Sequence, residues 1–237
     1  MTAVAALAAL LLGTFTNEEQ VEFAREGKQP PVAWGGMVIA PEAGGFTNQG
    51  VDAFGRRVGP KRAFALEADS RDVALVSGDC RRRMVAEGDG YRTAGDNGRC
   101  TTGAVLEQVG PAGVRLRIEG HGVQELRRAR AFRCWAAVPK RANRANGAED
   151  WWGRRDIALH DQGGRAELVT DESVPQRFTL KMRNVVWPDG PNQPSLVLYV
   201  LTPEGGERAV AYSWADPRSA RVGINIRTMQ ASCSLVE

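Results

Sequence analysis

The chain opens on a continuous apolar run at residues 4–12, VAALAALLL, made of good helix formers. At about nine residues it is too short to span a bilayer. No basic residue precedes it, and no small-x-small cleavage pattern follows in Gly13-Thr14-Phe15-Thr16, so it predicts a buried helix of the fold and not a signal peptide. On that reading the chain is cytoplasmic, and periplasmic only if an upstream signal has been removed. Thr16-Asn17-Glu18-Glu19 then has the form of a capping box, with Thr16 and Glu19 reaching for each other's backbone N–H. A second short helix is expected over residues 17–25, stopped by Gly27 and Pro30-Pro31.

From residue 32 onward the period changes from helical to two. Val114-Arg-Leu-Arg-Ile118 and Phe178-Thr-Leu-Lys-Met182 alternate strictly, which puts Val114, Leu116 and Ile118 on a core face and Arg115 and Arg117 on the other. Further strand-like runs fall at 32–40, 46–54, 62–67, 73–76, 104–109, 132–138, 156–160, 166–170, 195–201, 209–214 and 222–229. Gly, Pro and Asp turns separate them at short spacing. About twelve antiparallel strands without intervening helices predict a barrel or sandwich, not βαβ units. The basic, polar stretch at 140–150 offers little to bury and marks a boundary or insertion. Residues 1–138 are therefore expected to form a barrel region with an N-terminal helix. Residues 139–237 are expected to be a β-rich extension, either part of the same barrel or a second unit.

The chain has 237 residues with 43% hydrophobic content, and its net charge is only +3. That balance gives no electrostatic reason to expect a nucleic-acid partner. Basic side chains do gather locally, at Arg56, Arg57, Lys61 and Arg62, at Arg81 to Arg83, and between Arg127 and Arg144. Most such clusters are solvated strand faces; the rest are sites for anions. Four cysteines are present with no CxxC pair, and only His121 and His160 could join them, so no structural zinc is expected. The even count permits two disulfides, most simply Cys80–Cys100 and Cys134–Cys233, and equally permits four reduced thiols. Cys80 and Cys100 bracket a hairpin-like segment with a Glu87-Gly88-Asp89-Gly90 turn, which would bring the two ends together.

No nucleophile elbow, P-loop or HExxH motif occurs. Neither histidine has a partner at a telling spacing, and a hydrogen-bonded structural role is expected for both. The six tryptophans, Trp34, Trp135, Trp151, Trp152, Trp187 and Trp214, fall on or beside expected strands. The ordinary place for such aromatics is the core. Inside a wide barrel they could instead wall a pocket for a planar ligand, with arginines such as Arg56, Arg57, Arg62, Arg83 and Arg92 pairing its carboxylates. Trp34 and Tyr91 are the aromatic candidates, and Arg57, Arg62 and Arg83 the cationic ones.

Several segments resemble, in order and spacing, the CpcT/CpeT family of phycobiliprotein chromophore lyases. Residues 7–20, LAALLLGTFTNEEQ, are similar to the family's first helix with its L-x-G-x-F-T-x-x-x-Q pattern. Met37-Val38-Ile39 and residues 49–54 sit where the family has its first strands. Gly59-Pro60-Lys61-Arg62-Ala63-Phe64 is similar to its PYRQRVY strand. Gly78-Asp79-Cys80, Gly88-Asp89-Gly90-Tyr91 and Gly98-Arg99-Cys100 resemble its next run, and residues 114–118 the strand after that. The resemblance covers residues 7–120. It implies an antiparallel calyx-like barrel with a helix at its start, Arg62 as a ligand arginine, and Cys80 and Cys100 as structural positions.

For function the resemblance implies a protein that holds a bilin and positions it for thioether attachment to a cysteine of a phycobiliprotein-like client. No further cofactor is implied. Arginines would clamp the propionates and the client thiolate would supply the nucleophile, with Glu67 or Asp52 as candidate proton donors. Two other readings stand beside it: a non-enzymatic calyx for a small apolar or planar anionic ligand, and a β-sandwich interaction module with tryptophans in its core.

Overall fold

The computed structural model describes residues 2–100, 103–141, 150–187 and 191–236. Most of the basic stretch at 140–150 and part of the turn-rich segment at 188–194 lie outside these. The chain forms two compact units, Met1–Asp52 with Arg56–Ala129, and Ala53–Gly55 with Arg130–Glu237. The boundary thus falls at 129/130 and not at 138/139. Among the described residues no helix is long and apolar enough to cross a membrane.

The first unit is a closed barrel of ten antiparallel strands in simple up-and-down order. They are β1 (Gly13–Thr16), β2 (Gly36–Glu42), β3 (Gly45–Val51), β4 (Arg57–Asp69), β5 (Asp72–Ser77), β6 (Cys80–Glu87), β7 (Gly90–Asp96), β8 (Ala104–Gly110), β9 (Gly113–Ile118) and β10 (Gly122–Ala129). β10 pairs with β1, Phe15 opposite Arg128, and β1 pairs with β2, Phe15 opposite Met37, so no edge is left. The hairpin turns bring backbones close: a Cβ on Gly90 would stand 2.2 Å from the Val109 carbonyl oxygen.

The apolar run at the start of the chain is α1 (Ala3–Leu11). Its Thr2 cap accepts from the Ala5 N–H at 3.2 Å. Leu7 and Leu11 are fully buried in one cluster with Phe15, Met37, Ile39, Val73, Met84, Val109, Val114 and Leu126 from the lumenal faces of seven strands. The helix therefore plugs one end of the barrel. Its free C-terminal carbonyls, on Ala9, Leu10 and Leu12, accept from the Arg128 guanidinium, which also lies 4.9 Å from the Phe15 ring. Burial holds that guanidinium below its ordinary pKa.

The second helix, α2 (Glu18–Glu26), starts one residue later than expected, with Asn17 at its cap position. The reciprocal capping box does not form. Thr16 ends β1, and Glu19 instead accepts from Arg127 at 2.8 Å. Asn17 is committed elsewhere, donating to Ala33 O and Gln124 Oε1 and accepting from the Gly35 N–H.

The second unit holds two four-stranded antiparallel sheets. Its strands are β11 (Ala131–Pro139), β12 (Trp151–His160), β13 (Gln162–Val169), β14 (Arg177–Val185), β15 (Ser195–Leu201), β16 (Ala209–Ala215), β17 (Arg221–Ile226) and β18 (Met229–Leu235). The sheets, β12-β11-β18-β17 and β13-β14-β15-β16, share one core that includes Phe132, Val138, Ile157, Leu168, Leu180, Met182, Leu196, Leu198, Val222 and Met229. The chain crosses between sheets at Asp161. That buried carboxylate accepts from the Arg130 N–H and Nε (2.8 and 2.6 Å) and from Asn184 Nδ2 (2.8 Å). His160 beside it accepts from the Gln162 N–H at 3.3 Å, and its burial pushes its pKa down to about 4 against the pull of Asp161.

Both disulfides form. Cys134 and Cys233 face each other directly across β11 and β18, inside the core, 99 residues apart in sequence. Cys80–Cys100 spans 20 residues and ties the β5–β6 turn to the segment after β7.

Candidate functional site

In an antiparallel ladder, directly opposed residues share a face, and residues two apart on a strand share it too. Starting from the buried lumenal residues, this rule assigns the other side chains of the barrel. Ile39 is opposite Asn48, which is opposite Arg62; Phe46 is opposite Phe64. Leu75, two residues after Val73, is opposite Arg82, itself two residues before Met84. Leu106 is opposite Leu116, and Leu116 is opposite Gln124. Arg62, Arg82, Asn48 and Gln124 thus share the lumenal face with a set of apolar side chains.

The two ends of the barrel differ. Tyr91 donates to the Ala3 carbonyl at 3.1 Å, so the β6–β7 turn lies at the end that α1 fills. The β5–β6 turn, with Cys80, lies at the opposite end of β6. Toward that end the lumenal Leu75, Leu106 and Leu116 are only half-buried, as are Phe46, Phe64 and Leu66 on the same face. The Phe46 and Phe64 rings stack at 5.4 Å. Arg82 is buried and donates to the Ala104 carbonyl at 3.2 Å. Arg62 is exposed and makes no ion pair among the described residues. The Asn17–Gln124 hydrogen bond, 2.6 Å, adds a polar pair on this face. An apolar wall with two guanidinium groups in the same phase suits a ligand with an apolar body and an acidic head.

Of the residues singled out from sequence, Arg62 is in the lumenal phase. Tyr91 shares that phase but is spent on the α1 backbone. Arg57, opposite Val51, is out of phase with Val58 and Gly50, and Arg83 is out of phase with Met84; both are on the outer face, Arg83 lying 3.8 Å from Asp72. Trp34 is also outside. Its indole lies over Gly36, where a Cβ would come within 2.8 Å of it, and its N–H donates to Glu18 at 2.9 Å. Glu67 is exposed and bound to Arg81, and Asp52 accepts from the Arg56 N–H within the β3–β4 turn. Neither stands in the lumenal phase as a proton donor. Arg82, Arg128, Asn48 and Gln124 were not singled out, although alternation with Met84 and Leu126 marks Arg82, Arg128 and Gln124 as inward.

The tryptophans depart from a core role. Trp135, Trp151, Trp187 and Trp214 are 40%, 36%, 42% and 67% exposed. Trp152, by contrast, packs against the sandwich core. Among the described residues no cluster of three or more His, Cys, Asp or Glu could hold a metal.

No protein-family model matches the chain, and no curated protein or solved structure matches it.

Proposed function

We propose that the barrel is a ligand-binding calyx for an amphipathic anion, its apolar body against the half-buried leucines of the lumenal face and its carboxylate at Arg62 and Arg82. The observation that carries this reading is the asymmetry of the lumenal face. One end is packed solid by Leu7 and Leu11, while the other presents half-buried leucines beside two arginines. Arg62, exposed and without an ion pair among the described residues, stands in that phase beside the buried Arg82. A linear tetrapyrrole, with a flat apolar body and propionates, is the member of this class that the CpcT/CpeT resemblance implies. Transfer of such a bilin to a client cysteine would require only positioning by the barrel, since the client thiolate brings the nucleophile.

Isothermal titration with biliverdin, and in parallel with a long-chain carboxylate, tests this. Low-micromolar biliverdin binding that weakens about tenfold in Arg62→Ala, a loss of about 1.4 kcal/mol, supports the tetrapyrrole calyx. Arg62-dependent binding of the carboxylate alone keeps the calyx and removes the bilin. Saturable binding of neither probe overturns the proposal.

A further inference from the structure

The second unit carries a different concave site, on the outer face of the β12-β11-β18-β17 sheet. Cys134, Ala136 and Val138 point into the core, so Arg133, Trp135 and Ala137 point out. On β12, Trp152 packs inward, which turns Trp151, Gly153 and Arg155 outward. The ladder shifts register between the Cys134–Ile157 and Ala136–Arg154 pairs, so Arg155 and Asp156 together oppose the single residue Trp135. This is a β-bulge, and Asp156 in it holds φ at 56°, a left-handed conformation that non-glycine residues adopt uncommonly. The bulge gathers an indole, two guanidinium groups and a carboxylate around a groove of about 780 Å³, lined by Arg133, Trp135, Ala137, Gly153, Arg155 and Asp156 among others. That volume is in the range of small-ligand sites.

We propose that this groove binds an acidic oligosaccharide, one sugar ring lying on the Trp135 indole and a uronate carboxylate on Arg155. Trp135 is 40% exposed and offers a flat apolar surface for the C–H face of a ring. Arg133 is held by Asp156 at 3.1 Å, whereas Arg155 has no ion-pair partner among the described residues, so the site has a net positive charge and one guanidinium free for a carboxylate. Asp156 can accept from sugar hydroxyls. The floor is the opposed pair Ala137 and Gly153, small enough to let a ring settle. Beyond it stands Trp151, 36% exposed and opposite Pro139. Four strand positions separate Trp135 from that point, about 13 Å, which exceeds a single ring and fits a short chain. A peptide would sooner pair along the free edge of β12, because the face offers it few backbone groups.

The test is titration of the intact chain with trigalacturonate, with cellotriose and benzoate as the neutral and the aromatic-acid comparisons. The expected result is saturable trigalacturonate binding, at least tenfold tighter than either comparison. Trp135→Ala and Arg155→Gln should each weaken it at least tenfold. Gly153→Leu should abolish it by filling the floor, where a Cβ meets nothing nearer than the Ala136 oxygen at 3.9 Å, so the melting temperature should be unchanged. Arg62→Ala should leave it intact, which separates this site from the calyx. Absence of trigalacturonate binding, equal affinity for cellotriose or benzoate, or indifference to both Trp135→Ala and Gly153→Leu overturns the proposal.

Discussion

The two units solve the same problem, burying one face of antiparallel strands, in opposite ways. The barrel rolls one sheet shut and then has an interior to fill; α1 fills one end of it, with Arg128 satisfying the helix's last carbonyls. The sandwich lays two sheets face to face and fills the space with their own side chains, including a disulfide between Cys134 and Cys233. Closure gives the barrel an inward face, on which Arg62 and Arg82 stand among apolar side chains. In the sandwich Trp135, Trp151 and Trp214 stand exposed on strands, and the groove lies on an outer face.

The largest test of this contrast is removal of the disulfides. Replacing both Cys134 and Cys233 by Ala opens a 99-residue loop within the sandwich core, and the chain-entropy model gives a loss of about 4–5 kcal/mol. The same change at Cys80 and Cys100 releases only 20 residues and should cost about 3 kcal/mol. Denaturant unfolding followed by tryptophan fluorescence reports mainly on the sandwich, which holds five of the six tryptophans; far-UV circular dichroism reports on both units. Equal losses for the two pairs would contradict the assignment of one bridge to a core and the other to a barrel end.

Next in size is the helix plug. Leu7→Ala should destabilise the barrel by about 3 kcal/mol, because the fully buried leucine leaves a cavity that ten closed strands cannot collapse into. A loss below about 1 kcal/mol would mean that α1 does not close the lumen. Near neutral pH the smallest effect is a pH dependence confined to the sandwich, which grows only as the solution is acidified. His160 is neutral when folded down to about pH 4, whereas unfolded it gains a proton near pH 6.5. The unfolded state therefore binds more protons between these values, and stability falls as pH drops, by up to about 1.4 kcal/mol per unit, with the contribution complete above pH 6.5. His160→Asn, which can still accept from the Gln162 N–H, should flatten that part of the curve; an unchanged slope would exclude His160 as its source.

Much of this was legible in the chain. The strict alternation at Val114 to Ile118 gave the core face correctly, with Arg115 and Arg117 outside against Glu107. The apolar run at the start became a helix with Leu7 and Leu11 buried, and both cysteine pairings formed. The lumenal arginines were half legible. Arg82 stands two residues before Met84 and must share its face, while Arg83, the more obvious candidate, must point away. Arg62 needed its partner strand: only its position opposite Asn48, on a ladder that also stacks Phe46 on Phe64, assigns it to the lumen. The groove was not legible, because the bulge that brings Arg155 and Asp156 against Trp135 exists only when β11 and β12 are paired.

By itself, then, the sequence determined the period, the turns and the residues able to cross-link. These depend on near neighbours and on the two-residue pleat, which any extended segment carries with it. Only the tertiary structure decided which of the two faces of each strand would be covered, and by what. The pairing of β10 with β1 closes the barrel over more than a hundred residues and makes α1 a plug. The corner at Asp161 sends the chain from one sheet to the other and makes the remainder a sandwich. Alternation encodes two sides of a strand but not their surroundings, and contacts so distant in sequence leave no local pattern to read.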